Sequence, residues 1–365
     1  MTIPAHAVQR IPWWSWAVPL AACLLLVAKL SGIVPAAAIF VLIPAAVLLF
    51  AAVFAAVHHA EIVALRVGEP FGSIVLAVAV TVIEVALIVS MMLAAKEGGG
   101  ALARDTVFAA VMLVLNGVVG LCLVFGGVRH GEQSFQEQGA TAALSVLGTL
   151  AAITLIVPNY TVATPGPFYS PAQLLFVGFV SLCLYGVFLF VQTIRHRDYF
   201  IAAVDLDHAE VRPSGLIALI SLALLIVSLV AVVLLAKSLS PSLERAVSAA
   251  GLPPAFVGVV IAAIVLLPEG IAAIAAARAN RLQTSLNLAL GSALASIGLT
   301  IPAVAVVSLW IDQPLTLGLA PEGMTLLILT LFISTVTLAT GRTTILQGAV
   351  HLVIFGVFFF LAAMP

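Results

Sequence analysis

Residues 71–93 read "FGSIVLAVAVTVIEVALIVSMML", and residues 256–278 read "FVGVVIAAIVLLPEGIAAIAAAR". Each stretch opens on phenylalanine, stays almost wholly apolar, and carries a glutamate thirteen residues after the phenylalanine: Glu84 and Glu269. A helix of about 20 apolar residues crosses a bilayer, so both stretches are long enough to span one. A charge near the bilayer centre costs about 2.5 kcal/mol or more, and such a residue is a functional candidate by default. Val75/Val260, Ala77/Ala262 and Val80/Val265 agree as well. In helices this rich in alanine and valine, the weight rests on the paired phenylalanines and glutamates.

The whole chain has the same character. Its 365 residues are 63% hydrophobic and 8% charged, where a soluble domain carries about 25% charged residues. Long apolar runs, with none of the alternation that a membrane β-barrel needs, give an all-α polytopic membrane protein. Eleven spans are expected, near 13–31, 33–57, 71–95, 105–128, 140–157, 171–194, 215–236, 254–278, 285–311, 323–340 and 344–363. Turn-forming segments such as "KEGGG", "SPSLE" and "APEG" separate them. Trp13, Trp14 and Trp16 suit the interfacial anchor of a retained first helix better than a cleaved signal. The net charge of −1 gives no argument for nucleic acid, and Cys23, Cys122 and Cys183 form no CxxC pair.

Glu84 falls in the third span and Glu269 in the eighth. Five spans separate the equivalent helices, so the second copy runs in the opposite direction. The organisation is then an extra helix (1–32), a first repeat (33–194), a linker (195–214) and a second, inverted repeat (215–365). Inverted repeats with sites near mid-membrane are typical of secondary transporters. With the N-terminus inside, nine of the fourteen Lys and Arg residues fall in inner loops. That bias places the N-terminus and the middle loop in the cytoplasm and the C-terminus outside, in a cell membrane of the bacterial inner type.

The remaining candidates cluster around the glutamates. Ser73, Ala77, Thr81 and Glu84 share one helical stripe, and Gly258, Ala262 and Glu269 mark the matching one. Pro268 has no backbone donor and marks a helix break at the site; the carbonyl it frees is either a ligand or part of a simple kink. Asn116, and Ser292 beside Gly291, lie in the spans that follow the two glutamate helices. The expected cation and proton site is therefore Glu84, Glu269, Thr81, Asn116 and Ser292, with the two glutamates as the charged metal ligands. Two carboxylates sharing a low-dielectric site resist double ionisation. Protons or a cation must occupy it, and that mutual exclusion is the basis of antiport.

The segments "RVGEPFGSIVLAVAVTVIEVALI", "LLPEGIAAIAAARANRLQTSLNLALGSALASIGLTIPAV" and "TGRTTILQGAVHL" resemble the ChaA-type calcium/proton antiporters of the cation/Ca2+ exchanger superfamily. The resemblance runs from about residue 50 to the C-terminus. It implies one helix plus two inverted five-helix repeats, and Ca2+ export against H+. It also implies that Glu84 and Glu269 are the repeat glutamates, with Gly291, Ser292 and Pro302 in the second motif. Where the superfamily has a Gly-Asn pair before each glutamate, this chain has Val80–Thr81 and Val265–Leu266. Ca2+ takes six to eight oxygens, so Na+ and K+ stay open as alternatives. No resident cofactor is expected; the partners are the transported ions and the lipid bilayer, with the oligomeric state open.

A channel is the rival transport reading. An intramembrane enzyme is disfavoured because the sequence has no HExxH or GxSG motif and His351 is taken as the one histidine well inside a span. His351 reads as a packed residue or a proton relay. The loop acids Asp205, Asp207 and Glu210 with His208 read as a solvated loop or a cation sensor, and Glu61, Arg66 and Glu69 as interfacial.

Overall fold

The computed structural model describes residues 11–32, 39–68, 71–94, 99–200 and 212–365. Glu69 and the acids of the middle loop lie outside the described residues, as does the side chain of Ser73. Eleven helices among the described residues are long and apolar enough to cross a membrane. They are Trp13–Leu30, Phe40–Val67, Ile74–Leu93, Gly100–His130, Glu137–Tyr160, Pro171–Arg195, Gly215–Ala249, Phe256–Arg278, Leu282–Trp310, Pro321–Leu338 and Ile345–Ala363, called here the first to eleventh spans. Helices suit this composition because they bond every interior backbone group within the segment. Their outward faces keep large apolar side chains exposed, among them Phe176, Phe179, Leu182 and Phe190 on the sixth span.

Two spans run further than the sequence suggested. The second continues through "HHAEIVALRV" and stops only at Gly68, whose φ of 75° supplies the left-handed residue that ends a helix. His58, His59 and Glu61 are therefore inside a span, which corrects the placing of His351 as the lone membrane histidine. The seventh passes through Pro241 and "SPSLE" to Ala249. Side chains support that stretch: Arg245 Nε donates to the Pro241 carbonyl at 2.9 Å, and Ser240 Oγ bonds Glu244 at 3.2 Å. The fourth span opens at Gly100, so Asp105 lies within it as well, 2.7 Å from Arg104 Nη2.

The chain forms two compact units. One comprises Thr2–Gly99 and Ala209–Pro254, holding the first, second, third and seventh spans. In it the second span packs against the other three. His59 Nε2 lies 3.0 Å from the Ser15 carbonyl, and the His58 ring is 5.2 Å from that of Trp14. Arg66 donates to the Pro213 carbonyl at 3.3 Å and Lys29 to Ser238, so the seventh span is tied to the second near its start and to the first near its other end.

The other unit comprises Gly100–His208 and Ala255–Pro365. At its centre the fourth span widens into a π turn, Leu113–Val118, which packs against the eighth to eleventh spans. Two short strands, β1 (Gln133–Ser134) and β2 (Arg342–Thr343), pair antiparallel. Gln133 also donates to the Ala277 carbonyl at 3.0 Å and to Asn280 at 2.9 Å. The connections after the fourth, eighth and tenth spans thus meet on one side, as a chain crossing at every span requires.

Candidate functional site

Both glutamate helices begin at the paired phenylalanines, Phe71–Ala94 and Phe256–Arg278. At 1.5 Å per residue, each carboxylate stands about 20 Å into its helix. Glu84 is the only ionisable residue of Phe71–Ala94 and is 3% exposed. It shares a buried face with Val80, Thr81, Ile83, Leu87 and Ile88, the spacing of a helix that turns one side inward. Thr81 lies one turn before it on that face, and its hydroxyl is buried without a hydrogen-bond partner.

Glu269 belongs to the larger unit and is half-buried, between the buried Pro268 and Gly270. Here the expected helix break is corrected: Phe256–Arg278 is continuous through Pro268. The proline still withholds the donor that the Ile264 carbonyl would normally receive. Packing against neighbouring spans holds the helix together across that gap.

Glycines set the place of this helix on the fourth span. A Cβ added at Gly258 would lie 2.8 Å from the backbone nitrogen of Thr106, and one at Gly270 would lie 3.2 Å from Val118 Cγ2. Both contact points advance by twelve residues, from 106 to 118 and from 258 to 270, so the fourth and eighth spans run in the same direction. The residue after Glu269 is thereby seated against the π turn that contains Asn116.

Asn116 is fully buried. Its Nδ2 donates to Thr330 Oγ1 at 2.9 Å, and its Oδ1 lies 3.2 Å from His351 Nδ1. His351 Nε2 lies 3.2 Å from Thr337 Oγ1. Both ends of the amide are thus engaged with the tenth and eleventh spans. Ser292 is half-buried on the ninth span, and an added Cβ at the preceding Gly291 would meet nothing within 4 Å. The close helix approach on this span is at Gly298 instead, where a Cβ would lie 2.9 Å from Tyr185 Cβ.

The candidates therefore fall into two groups: Thr81 and Glu84 in the smaller unit, and Pro268, Glu269, Asn116 and Ser292 in the larger. Sequence reasoning did not find the partnership of Asn116 with Thr330 and His351, or of His351 with Thr337. The available signal was two isolated polar side chains, each deep in an apolar span, since such residues usually bond one another. The π turn had no comparable signal.

The model of the family described as sodium/calcium exchanger protein matches residues 37–194 and 220–364. The chain is 56% identical over 361 residues to a protein of Sinorhizobium fredii named only as an ionic transporter, with 98% of this chain and 97% of that one covered. It is 35% identical over 310 residues to the sodium-potassium/proton antiporter ChaA of Escherichia coli, covering 84% of each. The solved structure of native YfkE matches with a TM-score of 0.74 at 16% identity, over 96% of this chain and 100% of that one. At that identity the likeness bears on the fold.

Proposed function

Because the chain belongs to the sodium/calcium exchanger protein family, we propose that it is a secondary active cation/proton antiporter. It exports Ca2+ in exchange for H+ by alternating access, and Glu84 and Glu269 hold cation or protons in turn. The observation that carries the reading is a carboxylate buried at the middle of an otherwise uncharged membrane helix, Glu84 at 3% exposure. Glu269 at the same distance from Phe256 supports it, as does a family model that matches in two stretches close to the limits of the inverted repeats.

The chemistry follows from charge balance. A carboxylate deep in a membrane is stable when protonated or when paired with a cation, and costly when bare. One divalent ion balances two carboxylates, and so do two protons. A transporter that crosses only in these neutral forms must exchange one for the other. Thr81, Ser292 and the Ile264 carbonyl would add neutral oxygens. The loop bias in Lys and Arg favours an N-terminus in the cytoplasm and a C-terminus outside, and the resemblance to calcium/proton antiporters implies that proton entry drives cation export.

A second reading, monovalent Na+ or K+ against H+ at the same glutamates, is favoured by one observation. Asn116 spends its amide on Thr330 and His351, which removes one neutral oxygen from the six to eight that Ca2+ takes. The E. coli relative is also named for sodium and potassium.

The test uses purified protein in proteoliposomes with an imposed pH gradient and a pH-sensitive dye. Adding Ca2+, Na+ or K+ in turn should collapse the gradient for the transported ion. Glu84→Gln and Glu269→Gln should each abolish that response. Exchange at the wild-type rate in either variant removes the assignment.

A further inference from the structure

We propose that His351 is a positioning residue of the exchanger: its imidazole fixes the π turn at Asn116, and through that turn the helix carrying Glu269. The inference rests on the antiport reading above.

His351 is 0% exposed on the eleventh span. The Asn116 Oδ1 that it faces at 3.2 Å can only accept a hydrogen bond, so Nδ1 carries the proton. Nε2 is left to accept from the Thr337 hydroxyl at 3.2 Å. Asn116 in turn donates to Thr330 Oγ1, which lies 3.4 Å from Met112 Sδ. Three spans are joined by a chain in which each polar group has its complement, and such networks specify one arrangement.

What the network holds is an unusual piece of backbone. Leu113–Val118 is a π turn inside a helix that is otherwise α. Such turns hold an extra residue and are frequent at functional sites. His351 bonds Asn116, in the middle of that turn, at 3.2 Å. Val118, at its end, stands against Gly270, where an added Cβ would be 3.2 Å away. Gly270 follows Glu269 directly. A π turn that slips by one residue would move Val118, and the chain beside Glu269 would follow. His351 thus acts on the cation-binding carboxylate without touching it.

The experiment compares His351→Asn, His351→Gln and His351→Leu with wild type in proteoliposomes. It measures the half-saturating cation concentration, the maximal rate, the pH profile and the thermal midpoint. An asparagine amide nitrogen takes the place of Nδ1, whereas a glutamine amide takes that of Nε2. His351→Asn should therefore stay close to wild type, with an unchanged pH profile. His351→Gln and His351→Leu should raise the half-saturating concentration about tenfold, the effect of about 1.4 kcal/mol. The double variant Asn116→Leu/His351→Leu should be no worse than either single change, because linked groups do not add. Equal behaviour of His351→Asn and His351→Gln overturns the proposal, and that comparison stands even if His351→Leu does not fold. Additive loss in the double variant, or a shifted pH profile in His351→Asn, overturns it as well. Glu269→Gln is run alongside: exchange at the wild-type rate in it removes the glutamate assignment, while wild-type affinity in His351→Gln removes only the role of His351. A wild type without exchange removes both.

Discussion

Gly258 of the eighth span faces the backbone of Thr106 so closely that an added Cβ would stand 2.8 Å from its nitrogen. The obstacle is main chain, which cannot rotate away, so Gly258→Ala must push the two helices apart. The expected loss is about 1–3 kcal/mol, the usual cost of overpacking. Gly291→Ala is the control, since nothing lies within 4 Å of its added Cβ, and alanine is favoured over glycine in a helix by about 0.5–1 kcal/mol. Thermal midpoints in detergent should fall for the first and hold or rise for the second. Equal shifts would mean that the Gly258 contact does not position the Glu269 helix.

Asp105 lies beside the same contact and is bound by Arg104 at 2.7 Å, while Arg104 Nη1 reaches the Gly318 carbonyl at 3.2 Å. Their side chains are only 20% and 15% exposed. Removing one partner of a buried pair leaves a charge without compensation, at about 3–5 kcal/mol when burial is complete. Partial exposure here reduces that to about 1–3 kcal/mol. Arg104→Leu should lose this much stability, and Arg104→Leu/Asp105→Leu should recover part of it. Unfolding measurements that show the double variant to be the weaker of the two would refute the pairing.

Thr81 has a buried hydroxyl with no protein partner, one turn from Glu84. Thr81→Val keeps the shape and removes the oxygen. A lone buried hydroxyl contributes nothing to folding and costs about 1 kcal/mol or more to desolvate, so stability should hold or rise. If the oxygen meets the transported cation, the half-saturating concentration should rise about three- to tenfold, equivalent to about 0.7–1.4 kcal/mol. Thr81→Ser should transport normally. Unchanged affinity in Thr81→Val would exclude the hydroxyl from the site.

The parts of this molecule that were legible in the sequence share one physical cause: the bilayer tolerates very little. Apolar runs marked all eleven spans, and Phe71 and Phe256 turned out to be the first residues of the two glutamate helices. Helix ends were less legible, because polar residues there can sit in a helix as well as in a turn. "SPSLE" stayed helical against its turn-like composition, and "HHAEIVALRV" stayed helical despite its charges. Pro268 read as a break and is carried within a continuous helix, since tertiary packing outweighs one missing bond. Asn116 was legible as a buried polar residue. Its commitment to His351, 235 residues away in sequence, depends on which helices pack together, and local pattern does not carry that.

The connection between the fifth and sixth spans gives a pH-dependent prediction. Tyr169 donates its hydroxyl to the Ile153 carbonyl at 2.5 Å, within the π segment Ala152–Ile156. Burial pushes this phenol up to about 12, against about 10 in an unfolded chain. The folded state therefore favours the neutral form. Below pH 10 both states keep the proton and the group adds no pH slope. Between pH 10 and 12 the unfolded chain releases its proton first, so stability falls as pH rises. Tyr169→Phe should cost about 1 kcal/mol at neutral pH through the lost hydrogen bond, and should flatten the decline between pH 10 and 12. Denaturation midpoints across that range test both effects. An identical alkaline slope in wild type and Tyr169→Phe would show that the phenol titrates as it does in water.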